Sequence, residues 1–194
     1  DDGTTPATPF AQGSGHIDVS LAARSPLVMN VSKAQYDAAD PDIKNGFGVR
    51  DLNIPSLGDD KCIGACRWTR SVENVSGETL SWTVSRNGPA GFTAIISPSS
   101  FTLGPGESQE IEVEIGVSAE AATGEWQLGS IDLDETSGNH PDAHWPFAVL
   151  PSSSNFPETL DIETQTTAGS VDLVDLISRE SLLASVLFLF LPHA

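Results

Sequence analysis

Four histidines and two cysteines are the side chains of this chain best suited to acid–base, nucleophilic or metal chemistry. The histidines are His16, His140, His144 and His193, and none stands in an HExxH metal motif or near a G-x-S-x-G nucleophile turn. The acidic clusters YDAADPD and DLDET do not match the calcium loop of an EF-hand. The residues therefore predict no catalytic centre, no cofactor and no metal site.

Cys62 and Cys66 stand close together in KCIGACRW. Their spacing favours a local disulfide in an oxidising compartment, because the short, flexible stretch between them lets the thiols meet. A metal site would need further cysteines or a nearby histidine, and a redox pair has two intervening residues where this chain has three. We predict a disulfide that shapes the start of a strand.

The charge balance is strongly acidic, with 27 Asp and Glu against 9 Lys and Arg and a net charge of −18. Such a surface repels nucleic-acid phosphates and anionic lipid head groups. The apolar run LLASVLFLFL near the end is shorter than the about 20 residues that a membrane helix needs. We expect no nucleic-acid partner and no membrane span.

Short runs of alternating apolar and polar residues, separated by turn formers, fill residues 51–151. The alternation changes phase near Gly129, which indicates a bulge, and Pro146 indicates that the last strand lies at an edge or is bulged. This rhythm predicts an all-β fold, an antiparallel β-sandwich of fibronectin-III or immunoglobulin type, with a small barrel as the alternative. The predicted strands are 67–75, 78–87, 92–98, 99–106, 108–117, 125–134 and 144–151.

The flanking stretches have a different character. Residues 1–8 are polar and predicted to be disordered, and residues 25–50 form a connector of turn formers around the helix-compatible patch SKAQYDAAD. Residues 152–169 resemble a linker. Residues 170–184 could form an amphipathic helix, and the apolar end after it either packs on the sandwich or is poorly ordered.

Two further sets of residues are candidates for function. Trp68, Trp82, Trp126 and Trp145 are expected to fill the core or a docking face, because large aromatic side chains supply much of the burial in a small sandwich. Asn30 and Asn74 each begin an N-x-S sequon and are the possible glycosylation sites.

Several motifs, in their order, resemble the subtilisin-like serine endopeptidases, the subtilases, between Pro9 and Val149. TPFAQGSGHIDVSLA (8–22) looks like the segment that follows the nucleophile-bearing helix in that family. DLNIPSL (51–57), RWTRSVENVSGETLSWTV (67–84) and PSSFTLGPGESQE (98–110) look like the fibronectin-III-like domain behind the peptidase domain.

The resemblance implies a division of the chain into four parts. Residues 1–28 would be the C-terminal remnant of the catalytic domain, 29–50 a connector, 51–151 the fibronectin-III-like sandwich, and 152–194 a linker with an amphipathic and apolar tail. The family's catalytic Asp, His and Ser have no counterpart here, so this fragment is not expected to hydrolyse peptides. The parent protein would be a secreted serine endopeptidase whose export signal lies upstream.

The function implied is that of a non-catalytic accessory module, which packs against the peptidase domain, stabilises it and shapes the access of protein substrates. One alternative is a stand-alone extracellular adhesion or carbohydrate-binding sandwich, which would show exposed aromatics on one sheet. Another is a truncated gene product with a stranded N-terminal remnant and an out-of-frame tail. The accessibility of the four tryptophans separates the first two hypotheses.

Overall fold

The computed structural model describes residues 10, 13, 16–39, 48–118 and 123–154. The predicted disorder of residues 1–8, the predicted helix at 170–184, the apolar end and His193 lie outside the described residues. Two short helices precede the sandwich, α1 (Val19–Ala22) and α2 (Lys33–Ala38), followed by a 3-10 turn at Val49–Asp51. Helix α2 lies in the helix-compatible patch, and Ser32 and Gln35 cap its start reciprocally. None of the described helices has the length and apolar character needed to cross a bilayer.

Nine strands of the described residues form two sheets. The first sheet has the order β1-β3-β7-β5 and the second has the order β2-β9-β8-β4-β6. Every pairing is antiparallel except that of β2 with β9. The predicted all-β sandwich is therefore confirmed. The strands are β1 (Leu27–Val28), β2 (Leu57–Cys62), β3 (Ala65–Asn74), β4 (Leu80–Asn87), β5 (Phe92–Ser97), β6 (Ser100–Leu103), β7 (Ser108–Val117), β8 (Gln127–Glu135) and β9 (Ala143–Pro151).

The core lies between the two sheets and follows the alternation in the sequence. Strand β7 points Ile111, Val113, Ile115 and Val117 inward and leaves its glutamates on the outer face. In the second sheet Trp82 is fully buried and stacks on Phe101, with their ring centroids 5.3 Å apart. Apolar alternation on both sheets therefore specifies the interface that holds the sandwich together.

The bulge predicted at Gly129 is absent. Pairing of β8 with β9 runs without interruption from Gln127↔Val149 to Leu133↔Ala143. Gly129 faces inward, and a Cβ there would lie 2.4 Å from the Asn87 carbonyl oxygen and 2.4 Å from the Phe147 ring. The apolar alternation changes phase in the sequence for a different reason. Gly129 occupies an inward position that has no room for a side chain, and the apolar residue Leu128 lies on the outer face.

The edge or bulge position predicted from Pro146 is also wrong. Strand β9 lies between β2 and β8, and its pairing with β8 is regular through Ser130↔Pro146. Its ladder with β2 begins one residue later, at Leu57↔Phe147. Pro146 is tolerated in an interior strand because it precedes the stretch that pairs on both sides.

Strands β1 and β2 were not predicted from the sequence. Strand β1 has two residues and pairs with β3. The first sheet therefore extends into residues 1–28, which the sequence analysis assigned to a remnant of the catalytic domain. Strand β2 has the sequence LGDDKC, which lacks apolar alternation, and its register shifts between Asp59 and Cys62. Both strands depend on long-range pairing that local patterning does not reveal.

Candidate functional site

The described histidines lie apart in the fold. His16 is exposed in the N-terminal stretch, His144 is exposed on β9, and His140 is half-buried with its Nε2 atom 3.9 Å from a carboxylate oxygen of Glu78. Within the described ranges no group of three or more His, Cys, Asp or Glu side chains could hold a metal ion. The most elaborate polar construction is instead the junction between the sandwich and the chain that precedes it.

The junction has two parts, the arm (residues 16–31) and the lead-in segment (residues 48–56). The arm joins the first sheet through β1, whose residues pair as Leu27↔Asn74 and Val28↔Glu73. The Val75 amide donates to the Pro26 carbonyl over 2.9 Å. Leu27 and Met29 also pack against the hydrophobic core. The arm is thus a structural part of the sandwich from Pro26 onward.

Arg70 fastens the lead-in segment. It occupies an inward position of β3 and is 2% exposed. Its guanidinium donates to the carbonyl oxygens of Ile54 (2.9 Å), Arg50 (3.1 Å) and Ser56 (2.8 Å), and to that of its neighbour Thr69 (2.9 Å). Guanidinium suits this task because its donors fan out in one plane and reach several acceptors at once.

The charge of Arg70 is paired with backbone dipoles in place of a direct carboxylate partner. Burial lowers the pKa of Arg70 to about 10, with the positive charge of Arg50 acting in the same direction and the charge of Asp51 opposing it. Arg70 therefore remains cationic at neutral pH. Removing it would leave three carbonyl groups of the lead-in segment without their donor.

Arg50 ties the same segment to both sheets. Its guanidinium forms an ion pair with Asp59 on β2 and donates to the Arg67 carbonyl on β3 over 2.9 Å. It also lies over the Trp68 ring, with the guanidinium carbon 5.3 Å from the ring centroid. Arg50 thus connects β2 of the second sheet with β3 of the first sheet.

Asn53, in the lead-in segment, is hydrogen-bonded both to the arm and to β3. Its amide nitrogen donates to the carbonyl oxygens of Ser71 (2.8 Å) and Asn30 (3.3 Å), and its amide oxygen accepts from the Ser71 backbone (2.7 Å). It therefore mimics a short piece of β-ladder against β3 and holds the arm at the same time.

A polar groove of about 380 Å³ runs between the arm, the lead-in segment and the outer face of β3. Amide and carboxylate side chains line it, among them Asn30, Gln35, Asp51, Glu73 and Glu110.

Three of the four tryptophans are core residues. Trp68, Trp82 and Trp145 are at most 4% exposed, whereas Trp126 is 42% exposed at the start of β8. Phe10 makes an edge-to-face contact with Trp126, with ring centroids 4.9 Å apart. Trp126 is therefore the exposed tryptophan of the four, and Phe10, which it contacts, belongs to the stretch that resembles the end of a peptidase domain.

A disulfide joins Cys62 and Cys66, with their Cα atoms 5.6 Å apart. Cys62 ends β2 in the second sheet and Cys66 lies near the start of β3 in the first sheet, so the bond ties the two sheets together. Gly64 adopts a φ of 75° in the loop between them, a conformation that side-chain-bearing residues rarely adopt.

The two sequon asparagines differ in environment. Asn74 is fully buried, and its amide nitrogen donates to the carbonyl oxygens of Glu78 (2.8 Å) and Leu103 (2.9 Å). A glycan on that nitrogen would displace a hydrogen bond and has no room in the folded domain. Asn30 is exposed, with its amide nitrogen 3.4 Å from a Glu73 carboxylate oxygen.

The sequence analysis assigned no role to Arg70 or Asn53, and it considered Asn74 only as a possible glycosylation site. A signal for Arg70 was present, because the alternation in β3 places this charged residue on the same face as Trp68 and Val72. A charge at an inward position requires polar partners. The identity of those partners depends on how the lead-in segment folds back, which the local sequence does not encode.

The comparison with protein-family models agrees with this architecture. The family model "Fibronectin type-III domain" matches residues 51–149. Among solved structures, the FixG-related protein from Vibrio parahaemolyticus has a TM-score of 0.40 at 13% identity, over 45% of this chain and 78% of that one.

Curated relatives include subtilisin-like proteases of plants. Subtilisin-like protease SBT2.3 of Arabidopsis thaliana is 26% identical over 151 residues, which are 69% of this chain and 18% of that protein. Subtilisin-like protease Glyma18g48580 of Glycine max is 29% identical over 156 residues, 70% of this chain and 19% of that protein. The chain thus spans about a fifth of the length of these relatives. It belongs to the fibronectin type-III domain family, and the resemblance to subtilases seen in its motifs is confirmed.

Proposed function

We propose that residues 51–151 form a non-catalytic accessory domain of a secreted subtilisin-like serine protease. The domain would stabilise the peptidase domain by packing against it and would shape the access of protein substrates. Its partner would be that peptidase domain, with protein substrates contacted indirectly. The parent protein would be a serine endopeptidase, although this fragment has no counterpart of the family's catalytic triad.

The observation that carries this proposal is the shortness of the connection. The motif TPFAQGSGHIDVSLA ends at Ala22, and the Pro26 carbonyl already accepts a hydrogen bond from the amide of Val75, the residue that follows β3. Pro26 lies four positions after Ala22, a stretch that spans at most about 14 Å when fully extended. A peptidase domain joined through this motif would therefore lie against the sandwich or very near it.

The Phe10–Trp126 contact supports the same arrangement from the other end of the molecule. Trp126 precedes β8 at the end of the sandwich that holds the Cys62–Cys66 disulfide. Strand β1 pairs with the C-terminal end of β3, at the opposite end of the sandwich. Two attachment points at opposite ends restrain the orientation of a body far better than one. The peptidase domain would thus be held in one orientation.

The alternative, a stand-alone adhesion or carbohydrate-binding sandwich, is less well supported. A sugar-binding sheet would present several aromatic side chains on one face, but Trp68, Trp82 and Trp145 are buried in the core. Trp126 is exposed, and Phe10 covers part of it.

Secretion is proposed on two grounds, the subtilase relatives and the disulfide, which persists in oxidising compartments. In such a compartment Asn30 is the sequon asparagine accessible to a glycan. The net charge of −18 opposes binding to nucleic acid.

The test adds the full chain, at saturating concentration, to a subtilisin-like peptidase domain that has its triad but lacks this domain. We expect a higher Tm of the peptidase domain and altered cleavage of folded protein substrates, with hydrolysis of short peptides little changed. Trp126→Ala should reduce the gain in Tm, while Val75→Ala, another exposed apolar residue, should not. An unchanged Tm together with unchanged cleavage would contradict the supporting role.

A further inference from the structure

Each sheet has two edge strands, and three of these four edges are blunted. Strand β1 has two residues and β6 has four, too few to template a long ladder. Strand β2 carries Asp59, Asp60 and Lys61 and has an irregular register before Cys62. Short length, charge and bulges are the usual means by which proteins prevent another strand from pairing with an edge.

Strand β5 has none of these features. Its six residues pair regularly with β7, from Phe92↔Val117 to Ser97↔Glu112, and no described strand pairs with its other side. The sequence FTAIIS contains neither a charged residue nor a proline. Within the part of the chain that the structure describes, one row of backbone N–H and C=O groups along β5 is therefore unpaired and could receive a strand.

Apolar surface remains uncovered on both faces of this edge. Ile95 points away from the core and is 63% exposed. Ala94 and Ile96 point inward, pack against the core and remain half-buried. A strand laid beside β5 would cover all three side chains, because cross-strand neighbours lie within contact distance.

The charges around this edge indicate what kind of strand fits. On the outer face of the neighbouring β7, Glu112 lies opposite Ser97 and Glu114 lies opposite Ile95. Arg67 pairs with Glu114 from β3, on the far side of β7. The chain as a whole carries a net charge of −18, so a second copy would be repelled whereas a basic segment would be attracted.

We propose that the free edge of β5 receives an extended segment of a protein substrate, in which apolar residues alternate with basic ones. The segment would add a strand to the first sheet. Backbone hydrogen bonds would supply affinity, while Ile95 and the β7 glutamates would supply selectivity. This proposal rests on the proposed function, since it names the substrate feature that an accessory domain of a protease would recognise.

The test uses the full chain and three labelled octapeptides, measured by fluorescence anisotropy. One alternates lysine with valine, the second alternates glutamate with valine, and the third is the lysine–valine peptide with alternate amide nitrogens methylated. We expect the first to bind at least about tenfold more tightly than either of the others, because charge and strand pairing are both required. Equal binding of the methylated peptide would overturn strand addition, because it carries the same charge.

Hydrogen exchange locates the site. We expect the lysine–valine peptide to slow amide exchange in residues 92–97. Protection confined to another part of the chain would overturn the assignment to β5.

Two matched lysine substitutions complete the experiment. Ile95→Lys should weaken binding of the lysine–valine peptide at least about fivefold, since a lysine on an edge strand opposes pairing. Val75→Lys adds the same charge at an exposed apolar position outside β5 and should have a smaller effect. Equal weakening by both variants would reduce the effect to net charge and contradict the proposal.

Sedimentation velocity of the unliganded chain tests whether a second copy of the chain occupies the β5 edge instead. We expect a monomer. A dimer that Ile95→Lys abolishes would mean that a second copy occupies the edge. Peptide binding is measured without any peptidase domain, so a failure here leaves the Tm test of the accessory role unaffected.

Discussion

The two long sides of the sandwich differ in how much of their edge strands is covered by other parts of the chain. The sealed side, bounded by β1 and β2, is closed by the arm, the lead-in segment and the disulfide. The open side, bounded by β5 and β6, has no comparable cover among the described residues. The chain that precedes the domain therefore covers the sealed side, whereas no described residues cover the open side in the same way.

Arg70→Ala should have the largest effect, because it removes the donor that holds the sealed side. We expect a loss of about 3–5 kcal/mol in the free energy of unfolding, since buried carbonyl groups would lose their charged partner. Urea denaturation measures it. Arg67→Ala is the matched control on the same strand, where an exposed ion pair with Glu114 is worth about 1 kcal/mol or less. Similar losses for both would show that Arg70 does not hold the lead-in segment.

Removing the disulfide should have the next largest effect. The double variant Cys62→Ala/Cys66→Ala should lose about 2 kcal/mol, the chain-entropy contribution of so short a loop. Thermal unfolding of the wild-type chain with added reductant is the control and should match the variant. If the variant were as stable as the oxidised wild type, the disulfide would not stabilise the sealed side.

The open side should tolerate truncation better than the core. Ile96→Ala on β5 should cost about 1–2 kcal/mol, because the side chain is half-buried and the site can relax toward solvent. Ile115→Ala on the neighbouring β7 is fully buried and should cost about 3–4 kcal/mol. If urea denaturation gave equal costs, β5 would be as well covered as the interior strands.

The smallest effect concerns acid. Hydrogen bonds from the Ser137 hydroxyl and backbone amide lower the pKa of Glu135 in the folded state. A carboxyl group with a lowered folded pKa stabilises the fold above its unfolded pKa, and this contribution is lost as the pH falls through the folded value. The Tm of the wild type should therefore fall more between pH 7 and about pH 3 than that of Glu135→Gln. Ser137→Ala should reduce the fall in Tm in the same way. If the Tm of both variants fell as much as that of the wild type over this pH range, Glu135 would not contribute to the acid sensitivity.

The sequence predicted the sandwich because its interior strands carry a strong local signal. Strand β7 begins and ends where the alternation of Ser108–Val117 does, and β3 and β4 lie within two residues of their predicted bounds. The sealed side was not predictable in the same way. Strand β2 is polar and pairs in parallel with a strand about 90 residues away, a contact without local pattern. The alternation of β3 puts Arg70 on the same face as Trp68 and Val72, but its acceptors are backbone carbonyl groups, whose positions cannot be inferred from residue types.

Hydrogen exchange of the unliganded full chain shows whether the lead-in segment and β1 are integral parts of the sandwich. The amides of Asp51, Ile54, Ser71 and Val75 donate within or beside this junction. We expect residues 26–29 and 48–56 to exchange slowly, and we expect Arg70→Ala to accelerate exchange in 48–56 before it does so in β7. Fast exchange of 48–56 in the wild type, with β3 and β7 fully protected, would contradict the account.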